Sequence, residues 1–372
     1  MDKSHRRLME AIEWRFKNPD RSPMKIDTSL LVPLAESGSE AARLESLNYD
    51  GAYTFEGPHD PFFPLVAAAE QTERMELYTA VAIAFARNPM LLANIGWDLQ
   101  ALSKGRFILG LGSQIRPHIT RRFSMPWSKP AARMREMVLA IKDIWKSWTE
   151  GGRLDFRGEF YQHTLMTPMF DPGPNPYGDP KIYLAGVGPR MTEVAAEVAD
   201  GFFMHPFHTR KSWQEGTLPA LEAGLAKAGR TRENLELSFQ LMVVSGRNDE
   251  EISKAAAIVR QQIAFYGSTP AYRVALEAHG WGDLQTELNL RSKRGDWEGM
   301  GELITDEIMN EFAVVGPMNE IAARIRARVG QHADRVSFGT PYVGDAAYWA
   351  DVVTELRTSE AHGSQLPSPG RA

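Results

Sequence analysis

The segment from residue 181 to residue 203 has a composition that could hold an anion. It reads KIYLAGVGPRMTEVAAEVADGFF: an apolar strand, the loop AGVGP at 185–189, an amphipathic helix and a second apolar strand. Glycine lets the main chain approach a ligand, and proline fits the first turn of a helix, where unpaired N–H groups and the helix dipole attract negative charge. The spacing is neither GxGxxG nor a Walker loop. The pattern indicates either a phosphate-binding βαβ unit or a tight turn that only connects strand to helix.

Candidates for acid–base chemistry lie in the stretch EGPHDPFF at 56–63, which follows a predicted strand. Glu56 and His59 could hold or move a proton, because partial burial at the mouth of a fold can tune the pKa of a carboxyl or imidazole group. Asp60 precedes Pro61, so a structural salt bridge or a helix cap is an equal alternative for this residue.

Two histidines, His205 and His208, stand three residues apart in HPFH after another predicted strand. Such a pair could bind a metal, but barrel metallohydrolases usually carry His-x-His in their first strand, and KIDTSLL at 25–31 has none. We therefore expect no metal. His205 comes directly at the strand end, so it is the better candidate for contact with a cofactor or substrate.

Composition limits the classes of protein that need to be considered. The chain has 372 residues, of which 43% are hydrophobic, a net charge of −5 and no cysteine. The absence of cysteine excludes disulfides, iron–sulfur clusters and thiolate nucleophiles. The charge and the lack of a long Lys/Arg block argue against nucleic-acid binding. No apolar run approaches the ~18 residues that cross a bilayer, so we expect a cytoplasmic protein without a membrane partner.

Apolar runs of strand length alternate with stretches of helical period along most of the chain. The predicted strands cover 24–32, 51–55, 76–85, 107–112, 182–185, 201–205, 235–244 and 335–339. The predicted helices cover 36–47, 61–72, 89–103, 130–148, 189–199, 213–228, 250–265 and 320–329. Eight strands with a helix beside each indicate an α/β fold of the (β/α)8 TIM-barrel type, and a doubly wound open sheet is the alternative.

The barrel pattern is interrupted twice and flanked by extra residues. Residues 1–23 are predicted to be an N-terminal extension, 24–360 a single barrel domain, and 361–372 a C-terminal tail. One excursion, 149–180, is rich in proline and glycine. The other, 267–311, is helical in pattern. Barrels carry their chemistry in loops at the C-terminal ends of the strands, so this excursion is a candidate lid or substrate wall, although aromatic residues such as these more often serve packing.

Several motifs together resemble the bacterial luciferase-like monooxygenase superfamily. They are KIDTSLL, FARNPMLLA, SKGRFILGLGSQ, the AGVGP loop followed by ADGF, FYGSTPAY and RVSFGTPY. Within the superfamily the chain is most similar to oxidoreductases that use the 5-deazaflavin coenzyme F420 rather than FMN. The resemblance implies a (β/α)8 barrel with insertions, which binds a flavin-like ring in its mouth and the cofactor phosphate at the glycine loop.

The resemblance also implies roles for individual residues. Thr79 and Ala80 match the family position of a non-proline cis peptide behind the deazaflavin ring, and an ordinary trans strand is the alternative. Ser113 and Gln114 match positions that contact the ring and linker, and Ser113 could instead only form a turn. The expected cofactor-binding residues are Thr79, Ala80, Ser113, Gln114, Ala185, Gly186, Val187, Gly188 and Arg190.

Positive side chains after the fourth strand could attract the phosphodiester and polyglutamate tail of F420, although they could equally form a solvated face. They are Arg116, His118, Arg121, Arg122 and Lys129. Arg190 is the preferred phosphate neighbour, because it lies in the first turn of the helix that follows the glycine loop.

The resemblance implies a function with two alternatives. We expect transfer of a hydride between C5 of F420 and a small organic substrate, with Glu56, His59 and His205 as the candidate catalytic residues. Sugar-phosphate dehydrogenases of the family end the second strand with Asp-His and carry a glutamate where this chain has Ile115, so glucose 6-phosphate is not the expected substrate. An FMN-dependent monooxygenase and a non-catalytic flavin-binding barrel are the alternatives. The family also suggests a homodimer.

Overall fold

The computed structural model describes residues 23–340, 342 and 345–363. Apart from Pro23, the predicted extension lies outside the described residues, and so does most of the predicted tail. No helix in the described part of the chain has both the length and the apolar composition that crossing a membrane requires.

Eight parallel strands close into a barrel. In chain order they are β1 Lys25–Ser29, β2 Gly51–Thr54, β3 Glu76–Thr79, β4 Phe107–Gly112, β5 Lys181–Gly186, β6 Gly201–Met204, β7 Glu236–Val244 and β8 Arg335–Gly339. Each strand pairs with the next, and β8 pairs with β1, where Val336 lies opposite Ile26. The predicted (β/α)8 barrel is confirmed, and the doubly wound alternative is wrong because an open sheet would leave two edges unpaired.

Helices surround the barrel and fill the longer connections. They are α1 Ser37–Ser46, α2 Phe63–Gln71, α3 Pro89–Leu102, α4 Pro130–Glu150, α5 Pro189–Val198, α6 Leu218–Lys227, α7 Asp249–Gly267, α8 Arg273–Glu277, α9 Gly282–Arg294, α10 Trp297–Glu302, α11 Asp306–Phe312, α12 Ile321–Val329 and α13 Ala350–Gly363. Local signals explain their ends: at α3, Asn88 Oδ1 accepts from the Met90 N–H at 2.8 Å, and Gly105 follows the helix with a φ of 88°. The sequence pattern did not indicate α13.

The two predicted excursions differ in structure. The first, 149–180, carries a two-stranded antiparallel hairpin in which Phe156–Arg157 pairs with Gln162–His163. The second, 267–311, forms α8 to α11 and packs with α7 into a hydrophobic cluster of its own. The chain then enters a short strand, Ala313–Val315, that pairs with the end of β7. The second excursion is therefore anchored next to the C-terminal end of β7.

A layer of four aromatic side chains and one isoleucine fills the middle of the barrel. It consists of Tyr53, Tyr78, Ile108, Tyr183 and Phe203, one residue from each of five strands. The rings of Tyr78 and Phe203 stack with centroids 5.6 Å apart. This layer separates the two ends of the barrel, as side-chain layers do in this fold.

Charged side chains close the N-terminal end of the barrel. Arg335, which is 0% exposed, donates to both carboxylate oxygens of Asp27 at 2.7 and 3.0 Å and to Glu76 at 2.5 Å. The Tyr78 hydroxyl also donates to Asp27, at 2.8 Å. Burial works to raise the pKa of Glu76, but the charges of Arg335 and Lys25 outweigh it and lower that pKa to about 2. This end of the barrel is a structural ion network, which leaves the opposite end for a site.

Candidate functional site

A large cavity opens at the C-terminal ends of the barrel strands. Its volume is about 1210 Å³, and all eight strands or the residues just after them contribute to its wall. Typical small-molecule pockets measure about 300–1,000 Å³, so this cavity has room for a cofactor together with a substrate. In barrels of this type the chemistry lies at this end.

The glycine loop forms one side of this cavity. Ala185, Gly186, Val187 and Gly188 all line it. A Cβ on Gly186 would lie 2.9 Å from the Met191 side chain, whereas a Cβ on Gly188 would meet nothing within 4 Å. Gly186 is therefore required for the loop to pack on α5, and Gly188 leaves open space beside the main chain.

Main-chain donors are available at this loop. Gly188 precedes the first turn of α5, and its carbonyl accepts from the N–H groups of Met191 and Thr192 at 3.1 Å each. The N–H groups of Gly188 and Arg190 have no acceptor among the described residues. Such donors at a helix N-terminus bind phosphate well.

Most of the predicted positive side chains do not reach the cavity. Arg190 is exposed on the first turn of α5 and does not line it, and of the residues after β4 only Arg116 does. Arg122 instead donates to the Gly57 carbonyl at 2.6 Å, and Lys129 pairs with Glu159 at 2.6 Å. Helix and loop residues beside a strand end can point outward, and the sequence does not reveal which of them do so.

The cis peptide bond joins Ala80 to Val81, one residue later than the predicted position. Ala80 and Val81 line the cavity, but Thr79 does not. The Thr79 side chain is fully buried, and its hydroxyl donates to the Gly110 carbonyl at 2.6 Å. The Thr79 side chain is therefore used between β3 and β4, and its contact with a cofactor stays a prediction. The predicted strand 76–85 is observed as two pieces, Glu76–Thr79 and Ala82–Ile83, with the cis bond between them.

Ser113 and Gln114 line the cavity directly after β4. Gln114 has a left-handed backbone, with a φ of 58°, and its Oε1 accepts from the Ile115 N–H at 2.9 Å. The Ser113 hydroxyl donates to the Gln114 carbonyl at 3.1 Å. Both side chains therefore shape a turn and also face the cavity.

Of the two acid–base candidates after β2, the structure places only Glu56 at the cavity. Glu56 Oε2 accepts from the Ile83 N–H at 2.7 Å and forms an ion pair with Arg87. Arg87 also pairs with Asp60 at 2.9 Å, which is the structural salt bridge considered for that residue. His59 is exposed and lies outside the cavity wall. The structure therefore does not bring His59 into the cavity with Glu56, and a catalytic role for His59 stays a prediction.

His205 lies in the cavity wall at the end of β6. Its Nδ1 accepts from the Phe207 N–H at 3.1 Å, which assigns the proton of the neutral ring to Nε2. Burial lowers the pKa of His205 to about 4, so the ring is neutral at physiological pH. The rings of Tyr272 and Tyr266 lie 4.5 and 4.9 Å from it, centroid to centroid. His205 is thus a neutral hydrogen-bond donor in an aromatic surrounding.

The second histidine of the pair has a different environment. His208 is buried outside the cavity wall, and its Nδ1 is 2.7 Å from the His205 carbonyl oxygen. Burial lowers the pKa of His208 to about 3. No group of three or more His, Cys, Asp or Glu residues in the described chain is placed to hold a metal ion.

Sequence reasoning missed the polar floor of the cavity. Gln240 on β7 donates to the Tyr53 hydroxyl at 2.8 Å, and Ser238 and Ser337 lie beside them in the wall. Burial raises the pKa of Tyr53 to about 12, so this phenol stays protonated. The signal was present, because polar residues at alternate positions of a buried barrel strand face its interior.

A family model described as luciferase-like monooxygenase matches residues 17–335 of the chain. An uncharacterized protein of Mycobacterium tuberculosis is 54% identical over 313 residues, which cover 84% of this chain and 92% of that protein. A 5,10-methylenetetrahydromethanopterin reductase of Archaeoglobus fulgidus is 29% identical, covering 74% of this chain and 80% of the reductase. An F420-dependent glucose-6-phosphate dehydrogenase of Intrasporangium calvum is also 29% identical, covering 55% of this chain and 64% of the dehydrogenase.

Comparison with solved structures supports the same fold. A coenzyme F420 dependent tetrahydromethanopterin reductase from Methanopyrus kandleri superposes with a TM-score of 0.73 at 19% identity. The match covers 91% of this chain and 99% of that structure. At this identity the likeness concerns the fold alone.

Proposed function

The chain belongs to the luciferase-like monooxygenase family, and we propose that it is an oxidoreductase that uses coenzyme F420 to transfer a hydride to or from a small organic substrate. The observation that carries the proposal is the glycine loop, which brings unpaired main-chain donors and the open space at Gly188 to the edge of a cavity large enough for two ligands. The relatives named as a methylenetetrahydromethanopterin reductase and an F420-dependent dehydrogenase support this choice.

The residues around the cavity suit such a cofactor. Gly188 and the N-terminus of α5 would hold the phosphate. Arg116 lines the same cavity and would supply a positive charge to it. Ala80, Val81 and the turn after β4 would support the flat ring, since they offer small side chains and the polar groups of Ser113 and Gln114. The two carboxylates among the described wall residues, Glu40 and Glu56, each pair with an arginine.

When bound, F420 supplies a site at C5 that gives or accepts a hydride. The protein holds the substrate against it and excludes water, with the aromatic residues around His205 as the apolar wall. The neutral His205 ring offers its Nε2–H to a substrate oxygen, where it stabilises negative charge as the carbon–hydrogen bond forms or breaks. Glu56 is held by Arg87, so we assign it a supporting role.

The alternative is an FMN-dependent monooxygenase, and the family's own description favours keeping it. A phosphate loop accepts either cofactor, so direct titration separates them. Adding F420 or FMN to the purified protein and following fluorescence quenching should give tight F420 binding and weak FMN binding. The reverse order would refute the proposal, and F420 binding without turnover of any alcohol, ketone, nitroaromatic or enone would favour a non-catalytic flavin-binding barrel.

Gly188→Asp tests the phosphate site directly. A carboxylate about 4 Å from a phosphate repels it by about 4 kcal/mol at an effective dielectric constant of 20, which corresponds to a roughly 1,000-fold weaker Kd. The open space around a Cβ at this position predicts an unchanged melting temperature. Gly152→Asp is the matched control, because a Cβ there also meets nothing within 4 Å and the residue lies outside the cavity wall. Equal F420 affinity in the two variants would refute the loop assignment.

A further inference from the structure

We propose that the substrate of this cavity is an uncharged aromatic ketone or aldehyde, or the alcohol that corresponds to it. This inference rests on the proposed F420 chemistry and specifies the substrate class. It is carried by three features of the described residues: the lack of a free cation near His205, the aromatic wall around that histidine, and the direction of its hydrogen bond.

The first feature is the distribution of charge. Besides the neutral His205, the charged side chains among the described wall residues are Glu40, Glu56 and Arg116. Both oxygens of Glu40 accept from Arg43 at 2.8 Å, and Glu56 is held by Arg87. Arg116 follows β4, on the side assigned to the cofactor phosphate. A phosphorylated or carboxylated substrate would therefore lose its hydration beside His205 without gaining a cation there.

The second feature is the shape of the wall around His205. Tyr266 lies at the end of α7, and Tyr272 follows six residues later in the turn before α8. Both rings contact the His205 ring, and both line the cavity. Phe265 continues this wall outward and is 55% exposed. The centroids of the Phe265 and Trp297 rings are 6.3 Å apart. The wall beside His205 therefore presents aromatic rings, which favour another aromatic ring in the substrate.

The third feature is the hydrogen bond that fixes His205. Because Nδ1 accepts from the Phe207 N–H, the neutral ring carries its proton on Nε2 and can only donate there. A donor at this point suits a carbonyl oxygen, or the alkoxide that an alcohol becomes. In carbonyl reduction, the carbonyl carbon would take a hydride with its two electrons from reduced F420, and the oxygen would take one proton. Reduced F420 would give up one hydride and one proton in total, so the products are oxidised F420 and the alcohol.

Three ketones of similar size test this inference with reduced F420: acetophenone, 4-acetylbenzoate and cyclohexyl methyl ketone. We expect kcat/KM for acetophenone to exceed that for 4-acetylbenzoate by at least tenfold, because Arg116, the one arginine or lysine among the described wall residues, is assigned to the cofactor phosphate. Cyclohexyl methyl ketone has a saturated ring in place of the aromatic one, which should lower kcat/KM by about 2- to 12-fold, the range that corresponds to the free energy of an aromatic pair. Saturation-transfer NMR of acetophenone on the F420-loaded protein gives a binding readout that does not need turnover.

Tyr272→Leu should lower kcat/KM for acetophenone by about 2- to 12-fold and leave that for cyclohexyl methyl ketone within about twofold. Tyr272→Phe is the matched control and should behave like the native chain. If Tyr272→Leu does not fold, Phe265→Leu probes the same wall at an exposed position. An unchanged F420 Kd in each variant shows that the cofactor site is intact.

The outcomes separate this inference from the proposed function. If F420 does not bind, the proposed function is wrong and this inference falls with it. Suppose that F420 binds, and that 4-acetylbenzoate is reduced as efficiently as acetophenone or glucose 6-phosphate is oxidised as efficiently as the alcohol of acetophenone. The substrate class is then wrong and the cofactor assignment stands. Equal loss for both uncharged ketones in Tyr272→Leu would overturn the aromatic recognition.

Discussion

Replacing Arg335 by methionine removes the only cation that contacts Asp27 among the described residues. Asp27 is 1% exposed and would lose donors at 2.7 and 3.0 Å while keeping the Tyr78 hydroxyl at 2.8 Å. Glu76 would keep Lys25 at 2.7 Å, so the uncompensated charge is that of Asp27. The perturbation is therefore a single buried carboxylate without its counterion.

The expected cost follows from that geometry. Breaking a buried ion pair from one side costs about 3–5 kcal/mol, whereas methionine itself fills similar space with apolar atoms. This is a large fraction of the ~5–15 kcal/mol by which most proteins are stable. In Asp27→Asn/Arg335→Met the charge is gone and the amide can still accept from Tyr78, so we expect the double variant to recover about 1–3 kcal/mol.

Urea unfolding followed by circular dichroism measures these differences. Lys254→Met is the control, because its i, i+4 pair with Glu250 is exposed and should be worth no more than about 0.5 kcal/mol. Burial raises the pKa of Asp27 above its ordinary value, with Arg335 and Tyr78 opposing it, and removal of Arg335 should raise it further. A carboxyl group whose pKa is higher in the folded than in the unfolded state contributes stability that is present below the unfolded-state pKa and is lost as pH rises through the folded-state pKa. The loss of unfolding free energy in Arg335→Met should therefore be smaller at pH 5 than at pH 8.

Two results would refute this reasoning. One is a cost below about 1 kcal/mol for Arg335→Met, which would place the pair in the range of surface salt bridges. The other is a double variant no more stable than Arg335→Met, which would show that volume rather than charge determines the loss.

The remaining predictions concern packing and acid stability. Gly110→Ala places a Cβ 1.6 Å from the Thr79 carbonyl oxygen, so it should lower the free energy of unfolding in urea by about 3 kcal/mol or more. Gly152→Ala is the control and should cost less than about 0.5 kcal/mol, because its Cβ meets nothing within 4 Å. Equal costs would contradict the close approach of β3 and β4. Burial lowers the pKa of His205 to about 4 and that of His208 to about 3. The neutral rings therefore contribute stability that is complete above pH ~6.5, the ordinary pKa of histidine, and that is lost as pH falls toward the lowered values. Each histidine should steepen the fall in the free energy of unfolding by about 1.4 kcal/mol per pH unit between its ordinary and its lowered pKa. His208→Asn can keep the hydrogen bond to the His205 carbonyl and should remove one such contribution. An unchanged slope of unfolding free energy against pH in this variant would count against a buried neutral His208.

Local features of this protein followed from the sequence, because they depend on neighbouring residues. The alternation of strand and helix predicted the barrel, the predicted helix 89–103 agrees with α3 to within one residue, and the loop at 185–189 predicted a glycine turn at a helix N-terminus. Resemblance to the family placed the cis peptide within one residue of where it lies. Cytoplasmic location and homodimerisation stay predictions.

Only the tertiary structure decided which side chains meet. Tyr266 and Tyr272 reach His205 from more than 60 residues away, and Arg335 pairs with Asp27 across 308 residues, so no local pattern specifies either contact. The exposed positions of His59 and Arg190 and the burial of Thr79 depend on packing against other elements. Sequence periodicity determines which face of an element is apolar, whereas the closure of the ring determines which polar residues share a cavity.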